Sequence, residues 1–173
     1  DERLMLHISA SGSTQWERRE EIVSELMEKY PIGAGDVLIA SSNSGRNGAA
    51  VLYPMEARRR GATVVALTSM QHSQSVTPRN SAGLRLFETA DLVLENGGVL
   101  GDASFQAADG SMVGPTSTSV GAAILQAIVC RVKELSLEEG FEADFFKSSN
   151  VDGGDEWNDR LIAKYEAVIP GLN

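Results

Sequence analysis

A short hydroxyl-rich turn, Ser42–Asn47, lies between an apolar run at 36–40 and a helical stretch. An α/β fold builds a small-anion pocket from this order of strand, turn and helix, because the turn's N–H groups and the helix dipole face one point. The hydroxyls of Ser42 and Ser44 add donors, and Gly45 lets the backbone approach closely. The sequence therefore predicts that this serine turn binds a phosphorylated small molecule.

Length and charge limit the classes of protein to consider. A chain of 173 residues is enough for one domain with one sizeable core. Its 42% hydrophobic and 23% charged residues are an ordinary globular balance. The net charge of −9 argues against nucleic acid or an anionic membrane surface as the main partner. An anionic ligand must then be held by local dipoles.

Cysteine and histidine usage argues against bound metals. The chain has one cysteine, Cys130, so it contains no disulfide framework and no thiolate cluster. We expect this cysteine in the core and the protein in a reducing cytoplasm. The two histidines have no regular spacing, and no apolar run reaches the roughly 18 residues of a membrane span. The sequence predicts no metal, no cofactor and no membrane association.

Apolar periodicity predicts strands that alternate with helices. Strands are predicted at 36–41, 63–68 and 91–95, with a weaker strand or extended arm at 3–8. Helices are predicted over about 14–30, 48–60, 82–89, 116–135 and 156–168, with polar loops at 69–81 and 97–113. The helix at 116–135 is apolar almost all round, so we expect its first turns to be deeply buried. The pattern indicates an α/β fold with a parallel sheet flanked by helices.

Four segments in this order point to a known family: 35–47, Ala66–Ser69, Gly114–Thr118 and Asn150–Glu156. Together they resemble the sugar isomerase (SIS) domain family, and most closely its bacterial SIS-domain phosphosugar-binding proteins. The resemblance implies a flavodoxin-like three-layer sandwich of about five parallel strands. It also implies a homodimer or higher homo-oligomer, and a phosphosugar at the carboxyl ends of the strands.

The resemblance assigns a set of ligand-binding residues. The implied phosphosugar-binding residues are Ser42, Asn43, Ser44, Gly45, Asn47, Ser69, Thr116, Ser117 and Thr118. One departure is Asn47, which stands where SIS turns usually carry threonine. Family members also begin with a helix, a strand and a glycine-rich turn that are not found before residue 1. We therefore expect a single SIS domain over 1–173 that is incomplete at its N-terminus, without its first helix–strand units.

Sugar isomerisation needs a base and an acid, for which histidine and carboxylates are the usual groups. The candidate catalytic residues are therefore His7, His72, Glu95, Asp155 and Glu156. His7 lies in an apolar run, where a core or interface histidine is the simpler interpretation. His72 follows a strand end, and Glu95 ends a strand at the same edge of the sheet, where solvated charges are also common. Asp155 and Glu156 lie at a helix start, where a cap at Asp155 and a dipole-favoured Glu156 are the simpler interpretation.

Two functions are compatible with these features, and a third is disfavoured. The first is phosphosugar binding by a cytoplasmic SIS-domain protein that isomerises its ligand or acts on it as a related lyase. The alternative is a non-catalytic sugar-phosphate sensor that acts through protein–protein contacts. A dinucleotide-binding domain is disfavoured, because the sequence contains no Gly-x-Gly-x-x-Gly turn.

Overall fold

The computed structural model describes residues 1–5 and 8–172. They divide into two compact units, Asp1–Ile124 and Leu125–Asn173, and each is described by itself. The prediction of a single domain over 1–173 stays a prediction.

The first unit is built on a parallel sheet of three strands. These are β1 (Val37–Ser41), β2 (Thr63–Thr68) and β3 (Leu92–Glu95), in the order β1-β2-β3. Ser41 pairs with Leu67 and Thr68 pairs with Glu95, so the carboxyl ends of all three strands lie at one edge. The predicted α/β fold with a parallel sheet flanked by helices is confirmed.

Helices and a hairpin complete the chain. A 3₁₀ turn at Glu2–Leu4 precedes α1 (Ala10–Arg18), α2 (Ile22–Lys29), α3 (Gly48–Arg59), α4 (Met70–Gln74) and α5 (Leu86–Thr89). An antiparallel hairpin of β4 (Ala103–Gln106) and β5 (Met112–Pro115) follows, then α6 (Ser117–Glu138) and α7 (Gly154–Tyr165).

The core of the first unit lies on the central strand. Along β2 every residue after Thr63 is buried, as expected for a β-branched strand covered on both faces.

Asp91 connects this strand to α3, because its carboxylate accepts hydrogen bonds from the Val64 N–H (2.8 Å) and the Arg58 side chain (2.7 Å). These two hydrogen bonds lower the pKa of Asp91, and the bond from Val64 has the larger effect.

Several predicted boundaries are wrong. The stretch at 14–30 is two helices, and α1 begins earlier because the Ser9 hydroxyl accepts a hydrogen bond from the Gly12 N–H (3.0 Å). Within 3–8 the described residues form no strand. The loop at 69–81 contains α4, the loop at 97–113 contains most of the hairpin, and the helix at 82–89 is only α5.

The first turns of α6, which we expected to be deeply buried, are mostly half-buried or exposed, and Gly121 is the one buried residue among 117–124. The prediction that Cys130 lies in the core is also wrong. Cys130 is exposed, and Val129 and Val132 are 42% and 45% exposed. Apolar side chains lie all round the helix, so one packed face leaves the others uncovered. Gly121 marks the packed side, since a Cβ there would lie 3.6 Å from Leu67 Cδ2.

Membrane-spanning helices were also sought. Across residues 1–5 and 8–172, no helix combines the length and the apolar character needed to cross a bilayer.

Candidate functional site

The serine turn lies where the three parallel strands end. The Ser42 N–H donates to the Leu67 carbonyl (3.0 Å), and the Asn96 N–H donates to the Thr68 carbonyl (3.0 Å). The first residue after each of β1, β2 and β3 therefore lies at one edge of the sheet. Open α/β sheets bind ligands in the crevice at this edge.

The backbone carbonyls of the serine turn, from Ser42 to Arg46, all accept hydrogen bonds from the surrounding protein. The bonds run from Thr68 Oγ1 to Ser42 O (2.7 Å) and Asn43 O (3.1 Å), from Ser73 Oγ to Ser44 O (2.9 Å), from Leu86 N to Gly45 O (2.8 Å) and from Arg79 N to Arg46 O (2.7 Å). Four residues from β2, α4, the following loop and α5 thus hold the turn in one orientation.

The same peptide groups present their N–H groups on the other side. In a trans peptide the carbonyl and the following N–H point in opposite directions. The N–H groups of Asn43, Ser44, Arg46 and Asn47 have no hydrogen-bond acceptor among the residues that the structure describes. They directly precede α3, whose dipole is positive at this end. The turn therefore offers open donors to an anion.

Gly45 is needed for packing behind the turn. Its φ is +54°, and a Cβ built there would lie 2.9 Å from Leu86 Cβ. That separation is too short for any side chain, and a positive φ is itself unfavourable for other residues. The glycine thus lets the turn sit against α5, whereas we expected it to admit the ligand.

The side chains of the turn fall into two groups. Ser42 accepts a hydrogen bond from the Gly45 N–H (3.2 Å), so its hydroxyl shapes the turn. Asn43 accepts from Asn96 (2.5 Å), and its amide also donates to a carboxylate. The Ser44 hydroxyl makes no hydrogen bond within the described part of the chain and is only half-buried. Ser44 therefore has a hydroxyl donor to spare.

Glu17 lies beside the turn, although the sequence analysis assigned it no role in the site. Its carboxylate accepts a hydrogen bond from Asn47 Nδ2 (3.0 Å). The same residue lines a cavity of about 500 Å³, together with Ser13, Thr14, Ser41 and Ala49. A cavity of this size suits a small ligand. Glu17 is thus a carboxylate between the turn and the cavity.

Asp102 is the second residue that the sequence analysis missed. Its carboxylate accepts from Asn43 Nδ2 (3.0 Å), from the N–H groups of Thr116 (3.1 Å) and Ser117 (2.9 Å), and from both hydroxyls of that pair. Burial alone would raise the pKa of Asp102, but the hydrogen bonds from Ser117 and Thr116 outweigh it and lower the pKa. An ionised carboxylate therefore caps α6 and connects it to the turn.

The remaining predicted binding residues differ in what is left to them. Ser69 is fully buried, and its hydroxyl donates to the Gly98 carbonyl (2.5 Å) and accepts from the His72 N–H (3.0 Å). Thr116 and Ser117 are bonded to Asp102, whereas Thr118 is exposed in the first turn of α6. Ser69 therefore lies at the same strand edge as the turn, and its hydroxyl connects Gly98 to His72.

The predicted catalytic residues lie in different segments of the chain. The Glu95 carboxylate accepts from the N–H groups of Met70 and Gly97, both at 2.7 Å. His72 lies on α4, with a buried Nδ1 that has no partner among the described residues. His7 is outside the described residues. Asp155 and Glu156 belong to the second unit, in the first turn of α7.

The cap of α7 differs from our expectation. Gly153, with a φ of +76°, occupies the cap position, and Asp155 lies inside the first turn.

Across the described residues, no three His, Cys, Asp or Glu side chains are placed to hold a metal ion.

Comparison with known proteins identifies the family. A family model described as the SIS domain matches residues 1–69, which include the serine turn. A UPF0309 protein of Halalkalibacterium halodurans is 44% identical over 163 residues, which cover 94% of this chain and 67% of that protein. A UPF0309 protein of Listeria innocua is 40% identical over 175 residues, 99% of this chain and 71% of that protein. The chain belongs to the UPF0309 family of SIS-domain proteins. Its SIS domain indicates a ligand related to phosphosugars.

A substitution at Asp102 tests whether the charge of this carboxylate stabilises the UPF0309 fold. We expect Asp102→Asn to lower the free energy of unfolding by about 1–2 kcal/mol at pH 7, because α6 loses a charged hydrogen-bond acceptor at its N-terminus. The pKa of Asp102 is lowered in the folded chain, so its contribution is complete above the unfolded value of about 3.9. The difference between the two proteins should shrink as the pH falls through the folded pKa.

The measurement is urea unfolding between pH 2.5 and pH 7, followed by circular dichroism. Asp152→Asn, at an exposed position of the second unit, is the matched control and should change nothing. A wild-type-to-variant difference that stays constant down to the lowest pH would show that the charge of Asp102 does not stabilise the fold.

Proposed function

We propose that this UPF0309 protein binds a phosphorylated sugar, with the phosphate on the serine turn. The observation that carries the proposal is the set of open N–H groups at Asn43, Ser44, Arg46 and Asn47. Their peptide carbonyls are held by neighbouring segments, so the donors are oriented before a ligand arrives. Preorganised backbone donors at a helix N-terminus are the usual protein site for phosphate.

Local hydrogen-bond donors matter more for binding an anion in this acidic chain than they would in a basic protein. With a net charge of −9, the chain as a whole repels an anion. The turn offers uncharged N–H dipoles and the Ser44 hydroxyl, which act only at short range. We therefore expect selectivity for the phosphate group and no general affinity for polyanions such as nucleic acid.

Replacing Ser44 tests the phosphate position. Ser44→Ala should weaken the binding of a sugar phosphate by about 1–3 kcal/mol, the cost of losing a hydrogen bond to a charged group. Affinity is measured by calorimetry, after a thermal-shift screen of hexose and pentose phosphates selects the ligand. Ser24→Ala, at an exposed serine on α2, is the control. Unchanged affinity in Ser44→Ala would assign the turn a purely structural role.

We further propose that the bound phosphosugar is isomerised. Aldose–ketose isomerisation needs a base that takes the proton from the hydroxyl-bearing carbon next to the carbonyl and returns it to the carbonyl carbon, while a second proton passes from the hydroxyl oxygen to the carbonyl oxygen. Glu17 suits this role, since its carboxylate is one hydrogen bond from Asn47 and lines the adjacent cavity. A sugar phosphate on the turn can present its carbonyl end to this carboxylate.

Glu17→Gln separates binding from catalysis. The substitution keeps the acceptor for Asn47 and removes the base, so turnover should fall at least about 100-fold while ligand affinity changes less than about twofold. Turnover is followed by NMR as solvent deuterium entering the sugar. Glu21→Gln, an exposed neighbour at the start of α2, serves as the control. A Glu17→Gln protein with normal turnover would remove Glu17 from the mechanism.

One observation favours a non-catalytic sensor instead. Glu95, the carboxylate at the end of β3, accepts a hydrogen bond from a backbone N–H group on each oxygen, which is compatible with a purely structural role. A sensor that acts through protein contacts would bind the sugar phosphate and return it unchanged. Binding by the wild-type protein without deuterium incorporation would therefore support the sensor.

We extend the proposal to assembly and location. The uncovered apolar side chains of α6, including Val129 and Val132, support a homodimer or higher homo-oligomer. A single free cysteine, Cys130, is compatible with a reducing cytoplasm.

A further inference from the structure

The N-terminus of α6 already holds a negative charge from the chain itself. Asp102 accepts hydrogen bonds from the N–H groups and hydroxyls of Thr116 and Ser117. These are donors that the sequence assigned to the phosphosugar. With the Asp102 carboxylate in place, they have no capacity left for a second anionic group.

Asp102 also lies within the reach of a ligand on the serine turn. Asn43 connects the two places, because its Nδ2 donates to Asp102 (3.0 Å) while its backbone N–H is one of the open donors. A phosphate on the turn is thus separated from the carboxylate by one asparagine residue. A sugar attached to that phosphate is long enough to contact Asp102.

The charge of Asp102 determines what that contact can be. Its Oδ1 accepts four hydrogen bonds, whereas its Oδ2 accepts one, from the Ser117 hydroxyl. A carboxylate oxygen has two lone pairs, so Oδ2 can accept one more, from a sugar hydroxyl. A second phosphate or a carboxylate on the sugar would be repelled by the like charge.

We propose that Asp102 is a specificity-determining residue that restricts the site to sugars with a single phosphate and an uncharged remainder. The inference rests on the proposed function and adds the substrate class. Thr116 and Ser117 then do not bind the phosphate directly. They bind the Asp102 carboxylate, which contacts the sugar.

The test compares ligands that differ by one anionic group. Affinities of the wild-type chain are measured by calorimetry for fructose 6-phosphate against fructose 1,6-bisphosphate, and for glucose 6-phosphate against 6-phosphogluconate. We expect the less anionic member of each pair, fructose 6-phosphate or glucose 6-phosphate, to bind at least about tenfold more tightly than its more anionic partner. In Asp102→Asn this preference should fall to about twofold. Asp102→Glu keeps the charge and should keep the preference.

Asp109→Asn is the matched control, because this exposed carboxylate in the hairpin turn bonds only to Ser111 within the described chain. Equal affinity of the wild-type protein for both members of each pair would overturn the inference and leave phosphosugar binding intact. A full preference retained in Asp102→Asn would also overturn it. If neither inorganic phosphate nor any of the four sugars binds the wild-type chain, the proposed function fails, and this inference fails with it.

Discussion

The site depends on the hydrogen bonds that hold the carbonyls of the serine turn. Thr68, Ser73 and Leu86 belong to β2, α4 and α5, and each donates to a carbonyl of the turn. Because each peptide is planar, fixing its carbonyl also fixes the next N–H on the opposite side. The turn thus receives its orientation from the fold behind it, and its open N–H groups are held in place without a ligand.

Sequence reasoning found those parts of the site that local pattern determines. The strands β1, β2 and β3 and the serine turn were predictable, because apolar runs, Ser and Gly each specify backbone structure nearby. Glu17 and Asp102 were not, since they reach the turn from 30 and 59 residues away through Asn47 and Asn43. Asp102 also has a φ of +70°, which no local pattern indicated.

The exposed apolar helix shows where composition misleads. Apolar residues all round α6 were interpreted as a sign of burial, which is the usual case for such a helix. Burial requires neighbours on every side, and periodicity does not say whether they come from the same chain. Gly121 packs against Leu67, yet Val129 and Val132 remain uncovered. The helix assignment was correct, and only its surroundings were not predictable.

The most direct measurement is an amide NMR titration of the ¹⁵N-labelled protein with fructose 6-phosphate, glucose 6-phosphate and the free sugars. If the serine turn holds the phosphate, the N–H signals of Asn43, Ser44, Arg46 and Asn47 should shift with a sugar phosphate and stay fixed with its free sugar. Sugar-phosphate binding that leaves these four signals unmoved, or shifts another cluster, would contradict the account.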